Sequence, residues 1–208
     1  MQLVRHLLSP LGARAALKWY AAVFAVAAMA AGPATVGADQ SSQKHHDRHD
    51  TIVFTIDVAE DFTRFAPTLV KPTDTQPERG SFFVTEGRIF PDETIPAGDT
   101  PEAPGTFDPN SGGALGTWFC RGTHLVSATE FPTSARAVFT AQLYLLPDEG
   151  KSIGTEGVEG NAPVARIVTG GTGFFHNYVG EQRQQLLGFN ASGGVNLRVT
   201  FILRKAAK

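Results

Sequence analysis

The sequence predicts an all-β protein, an eight-stranded antiparallel up-and-down barrel with a long loop between its second and third strands. Three observations carry that expectation. From Thr51 onward, short stretches alternate apolar and polar residues at period two, the pattern of strands with one buried face. No window of a dozen residues after Thr51 shows the 3.6-residue repeat of an amphipathic helix. Glycines and prolines fall between the stretches, as in Pro147-Asp-Glu-Gly150, Gly160-Asn-Ala-Pro163, Gly170-Gly-Thr-Gly173 and Gly193-Gly194. Those are the residues that turns need for a positive or a fixed φ.

Taken in order, residues 1–38 read as a cleavable signal peptide. Arg5, His6, Arg14 and Lys18 form a basic leader, and Trp19 to Ala31 is uncharged and mostly apolar. Val36-Gly37-Ala38 then supplies small residues at a cleavage point. The alternative, a retained anchor, asks for about 20 strongly apolar residues, and this run is shorter and rich in alanine. The expected destination is the periplasm or the exterior. Residues 39–50 are polar throughout and read as a disordered linker. The barrel domain is expected over 51–208.

Eight strand candidates follow, at 51–59, 81–90, 115–126, 135–146, 152–158, 164–169, 180–188 and 195–204. The last is the clearest, with Val195, Leu197, Val199, Phe201 and Leu203 on one face and Asn196, Arg198, Thr200 and Arg204 on the other. In the fourth, Val138, Thr140, Gln142 and Tyr144 share a face opposite Phe139 and Leu143. The loop at 91–113 carries five prolines and four glycines with almost no large apolar residue. A loop of that length is either functional or disordered, so it reads as a cap on the barrel mouth or a loose insertion.

Charge and cysteine content narrow the function. Without residues 1–38 the chain has 15 basic and 20 acidic side chains, a formal charge of −5. Nucleic acid is therefore not an expected partner, because phosphate binding needs a concentrated basic face. Cys120 is the single cysteine, which excludes an internal disulfide. Set in an apolar strand, it reads as a buried structural thiol.

Several motifs fail on context. Thr169-Gly-Gly-Thr-Gly-Phe-Phe175 resembles a dinucleotide fingerprint, but no helix follows and no acid stands near position 190. His45, His46 and His49, with Asp47 and Asp50, have metal-ligand chemistry on a polar tail without the support that orders a site. His124 and His176 lack a closely spaced partner, and there is no nucleophile elbow. No metal site is expected.

Four motifs remain: Gly116-Thr-Trp-Phe-Cys-Arg-Gly122, Phe139-Thr-Ala-Gln-Leu-Tyr144, Ile167-Val-Thr-Gly-Gly-Thr-Gly173 followed by Gly180, and Gln185-Leu-Leu-Gly-Phe-Asn190. Through these the chain resembles the allene oxide cyclase and dirigent superfamily of eight-stranded barrels, in a bacterial-type version. The resemblance spans about residues 51–204. It implies a barrel that takes a hydrophobic or phenolic small molecule and guides its cyclisation or coupling by orientation, with no cofactor. It also implies dimers or trimers. The family's first-strand glutamate is matched by Asp57, the candidate catalytic acid, whereas the asparagine expected two residues later is Ala59. An arginine that many plant dirigents place before the glycine matched by Gly180 is Val179 here.

Candidate ligand-binding residues are Trp118 and Tyr144, as wall aromatics, and the strand charges Glu86, Arg121 and Arg166. Asp57 shares its face with Val53 and Thr55, opposite the apolar Ile52, Phe54, Ile56 and Val58. Alternation places Asp57 outside, and the resemblance places it inside, where Arg166 would be its partner; both readings stay open. Three functions follow: a cyclisation-guiding enzyme, a non-catalytic binder, or a structural surface protein with a packed barrel. An acid–arginine pair at depth favours the first, a wholly apolar cavity the second, and a lumen filled by Phe and Leu the third.

Overall fold

The computed structural model describes residues 51–71, 76–100, 103–130, 134, 136–146, 150–160 and 165–206. The expected signal peptide, the linker and the histidines at 45, 46 and 49 lie outside the described residues. Among the described residues nine strands form, namely β1 (Thr51–Glu60), β2 (Ala66–Thr68), β3 (Phe82–Pro91), β4 (Gly116–His124), β5 (Val138–Leu146), β6 (Lys151–Glu159), β7 (Ala165–Thr172), β8 (Tyr178–Phe189) and β9 (Val195–Lys205). Two 3-10 turns, Phe62–Arg64 and Gly173–Phe175, are the helical elements among the described residues.

Eight of the strands close into an antiparallel barrel in the order β1-β9-β8-β7-β6-β5-β4-β3, with β1 returning to β3. Each strand expected from the sequence is present. The two sides of β1 are unequal. Against β9 it pairs from Thr51↔Arg204 to Ala59↔Asn196, but against β3 only from Ile56↔Pro91 to Glu60↔Gly87. The chain then leaves the sheet at Asp61, whose Oδ1 accepts from the backbone N–H of Thr63 at 3.0 Å. It rejoins the same edge of β3 as β2, opposite Phe82 to Val84. At three residues, β2 is too short to show a period in the sequence.

The apolar face of β9 lines the lumen with Ile56, Val58, Ile89, Trp118, Tyr144, Ile153 and Val168. The end where β1 begins, called lower here, is filled by aromatics. Phe54 stacks on Phe201 with ring centroids 5.0 Å apart, Tyr144 meets Phe201 edge-on at 5.0 Å, and Phe175 lies 5.8 Å from Phe54. Burial of these rings and their offset geometry stabilise that end.

The described residues of the loop at 91–113 do not cross the mouth. They form a strap along the outer wall of β1, β9 and β8. The N–H groups of Gly98 and Gly105 donate to the carbonyls of Leu187 and Phe189, at 2.8 and 2.9 Å. Ile95 and Phe107 complete a small second core with Ala59, Phe90 and Leu187. Gly188 lets the strap come this close, since a Cβ there would lie 2.5 Å from the carbonyl oxygen of Asp99.

Candidate functional site

On β5 the usual relation between polarity and depth is inverted. Thr140, Gln142 and Tyr144 face the lumen, while Phe139, Leu143 and Leu145 face outward and are about two-fifths exposed. Polar side chains tolerate such burial only when hydrogen-bonded. Their partners come from β6, β7 and β8, whose inward positions are in register with theirs.

The centre of the cluster is an ion pair near the upper end, where β1 finishes. Arg166 on β7 is only 1% exposed. Its Nη1 donates to Glu159 Oε1 at 2.8 Å and to Thr140 Oγ1 at 2.5 Å, and its Nη2 donates to the Thr140 carbonyl at 3.0 Å. Gly157 makes room for the side chain, because a Cβ there would sit 2.8 Å from Arg166 Cγ. Glu159 Oε1 also accepts from the Thr140 hydroxyl at 2.6 Å and from Gln142 Nε2 at 3.0 Å. The Glu159 side chain is 16% exposed, so the pair is reached from the upper end.

Below the pair, Tyr144 donates its hydroxyl to Gln142 Oε1 at 2.5 Å, and Gln182 Nε2 donates to the same oxygen at 3.2 Å and to Gln184 Oε1 at 3.1 Å. Burial pushes the Tyr144 hydroxyl and the Cys120 thiol well above their ordinary pKa values, so neither is an anion at neutral pH. On the β1 side, Glu60 Oε1 accepts from the Thr85 hydroxyl at 2.6 Å and Oε2 from the Val195 N–H at 3.1 Å. Among the described residues five buried polar atoms on the lumen face make no well-formed hydrogen bond, namely Trp118 Nε1, which lies towards the Tyr144 hydroxyl, His124 Nδ1 at the upper rim, Thr155 Oγ1, Arg166 Nε and Gln182 Oε1. Around the upper mouth Phe62 stacks on Phe65, Phe65 lies 5.3 Å from Phe83, and Phe83 lies 5.8 Å from His124.

Among the residues singled out from the sequence, Trp118, Tyr144 and Arg166 meet in this lumen. Asp57, Glu86 and Arg121 do not. Asp57 faces outward, is buried beneath the strap, accepts from the Ile95 N–H at 2.9 Å and pairs with Arg198 at 2.9 Å. Of its two readings the outward one, given by alternation, holds and the inward one, implied by the resemblance, does not, since the positions on either side, Ile56 and Val58, hold the lumen face. Its partner is Arg198 rather than Arg166. Glu86 lies on the outer wall in a 3.0 Å ion pair with Arg64. Arg121 is exposed beside it, on an outer groove of about 420 Å³ with Val84, Phe119 and Leu143.

Sequence reasoning missed Glu159, Thr140, Gln142, Gln182 and Glu60 as site residues. For Glu159 and Glu60 the expected strands stopped one residue short. For Gln142 the signal was present, since it shares a face with Tyr144. Among the described residues, no group of three or more His, Cys, Asp or Glu is placed to hold a metal ion.

No protein-family model matches the sequence, and no curated protein matches it. Solved structures do match. The pterocarpan synthase dirigent protein PsPTS1 superposes with a TM-score of 0.56 at 8% identity, covering 78% of this chain and 100% of that one. For the pterocarpan synthase dirigent protein GePTS1 the TM-score is 0.52 at 12% identity, over 84% of this chain and 100% of that one. The Diels Alderase AbmU from Streptomyces koyangensis superposes more loosely, with a TM-score of 0.47 at 17% identity over 76% of this chain and 70% of that one. The chain has a dirigent and allene oxide cyclase-like barrel fold.

Proposed function

We propose that the protein is an exported barrel that binds a hydrophobic or phenolic small molecule in the upper half of its lumen and guides its cyclisation or coupling without a cofactor. The observation that carries this reading is the buried Glu159–Arg166 pair, set among hydrogen-bonding side chains and reached through an aromatic rim. The fold shared with dirigent proteins supports the same class of activity. Walls of this kind act by holding reacting atoms in one arrangement, so that one ring closure or one coupling face prevails. Glu159 stabilises positive charge developing on the guest, and the Arg166 and Gln182 side chains offer hydrogen bonds to its oxygens. The electrostatic role expected of Asp57 passes to Glu159.

Mass spectrometry of compounds that co-purify with the native protein identifies the guest. With that compound or its precursor, Glu159→Gln is expected to lower product yield and stereochemical excess while binding persists. Unchanged yield and selectivity in that variant would remove the pair from the mechanism. The aromatic filling of the lower half favours a second reading, a structural barrel, and an empty native protein with no bound compound supports it. Export rests on the basic and apolar leader, and N-terminal sequencing of the mature protein is expected to begin at Asp39. The outward apolar side chains of β3, β4 and β5 support self-association as dimers or trimers.

A further inference from the structure

We propose that the lumen selects an uncharged, oxygen-bearing guest that carries both a hydroxyl and an acceptor oxygen, such as a hydroxylated aryl ketone, and turns away carboxylates. The inference rests on the small-molecule reading of the barrel and supplies the chemistry of the guest. Its basis is four of the five atoms without a well-formed partner, those of Trp118, Thr155, Arg166 and Gln182, contributed by four different strands to one inner face below His124. Each of the four residues is at most 2% exposed. Trp118 stands opposite Tyr144, Thr155 opposite Gln142, and Arg166 opposite Gln182, so all four adjoin a single hydrogen-bonded cluster. Buried polar groups without partners are uncommon, and several around one lumen mark a place where something else completes them.

The four atoms differ in what they ask for. The indole N–H of Trp118 and the Nε–H of Arg166 can only donate, Gln182 Oε1 can only accept, and the Thr155 hydroxyl does either. The orientation of the Gln182 amide follows from its Nε2, which donates to Gln142 and to Gln184. The matching guest therefore brings an acceptor oxygen for the N–H groups and a hydroxyl for Gln182. A carboxylate brings acceptors alone and leaves Gln182 unpaired. It would also meet two carboxyl groups, those of Glu60 and Glu159, against the one guanidinium of Arg166, the three charged groups whose fields act on the Cys120 thiol. A hydrocarbon satisfies none of the four.

The test titrates the full chain with 4-hydroxyacetophenone, 4-methylbenzoate and 4-ethyltoluene, three compounds of similar size. The readout is the NMR signal of the Trp118 indole N–H, identified by its loss in Trp118→Phe. The ketone is expected to move that signal and to bind about ten-fold more tightly than either of the others, the worth of about one hydrogen bond. In Gln182→Met, which keeps the side-chain volume, the preference is expected to shrink several-fold. Equal or tighter binding of the carboxylate or the hydrocarbon, with the Trp118 signal shifted, overturns this guest and leaves the lumen site standing. A Trp118 signal unmoved by all three overturns both.

Discussion

Arg166 is the largest fully buried side chain among the described residues, and its charge is compensated by a single carboxylate. Removing one member of such a pair strands the other in a medium that solvates it poorly. Arg166→Leu is therefore expected to cost about 3–5 kcal/mol in urea unfolding, and Arg166→Leu with Glu159→Leu is expected to recover part of the loss. His124 gives a second, pH-dependent expectation. Burial lowers its pKa from 6.5 to about 4. Between those values the unfolded chain binds a proton that the folded chain refuses, so stability is full above about 6.5 and falls as the pH drops towards about 4. The loss amounts to roughly 3 kcal/mol at most. Melting temperatures of His124→Gln across that window are expected to show a flatter slope than the parent chain, and an equal slope would remove His124 as the cause. Trp118, Tyr144 and Arg166 were legible in the sequence because they stand on strands. Asp57 was not, since alternation names the outer face but cannot reveal that a strap covers it.

At the scale of elements, the period-two pattern located all eight barrel strands, and the turn residues separated them. It worked best for β9, whose two neighbours bury one clean face. It worked least for β6, where Gly154 and Gly157 remove side chains from the pattern and hide the fact that Glu159 lies in phase with Ile153. The inversion on β5 has a related cause. Polarity normally reports depth, and there the polar face is satisfied by side chains of the three strands that follow, β6, β7 and β8. Glycine also sets how closely β1 approaches β3. A Cβ on Gly87 would lie 2.4 Å from the carbonyl oxygen of Ala59, at the short seam that closes the barrel. Gly87→Ala is expected to destabilise by about 1–3 kcal/mol through overpacking, measured by thermal unfolding. A neutral result would mean that the seam can shift without loss.

For the molecule as a whole, closure into a barrel was legible, and the use of its outside was not. A sequence does not say which exposed apolar residues will gather on one wall. Phe82, Val84, Phe139, Leu143 and Leu145 do so, with Phe119 and Arg121 among them. An apolar wall of this extent is a place for protein contact. Sedimentation is expected to show a dimer or trimer, and Phe139→Lys with Leu143→Lys is expected to reduce it to a monomer with the barrel intact. A parent chain that sediments as a monomer at high concentration defeats the expectation.

The closing seam also governs how the fold can be reached. β1 is made before the other strands, yet the longer of its two ladders is with β9, the last strand of the barrel. Until β9 leaves the ribosome, the opening strand holds only its short contact with β3 and presents a bare edge to whatever is near. Such distant pairings slow folding, because the intervening chain must be ordered before they form. Trimming the C-terminus back past Val195 would thus leave a gutter of open sheet, prone to sticking to its own kind.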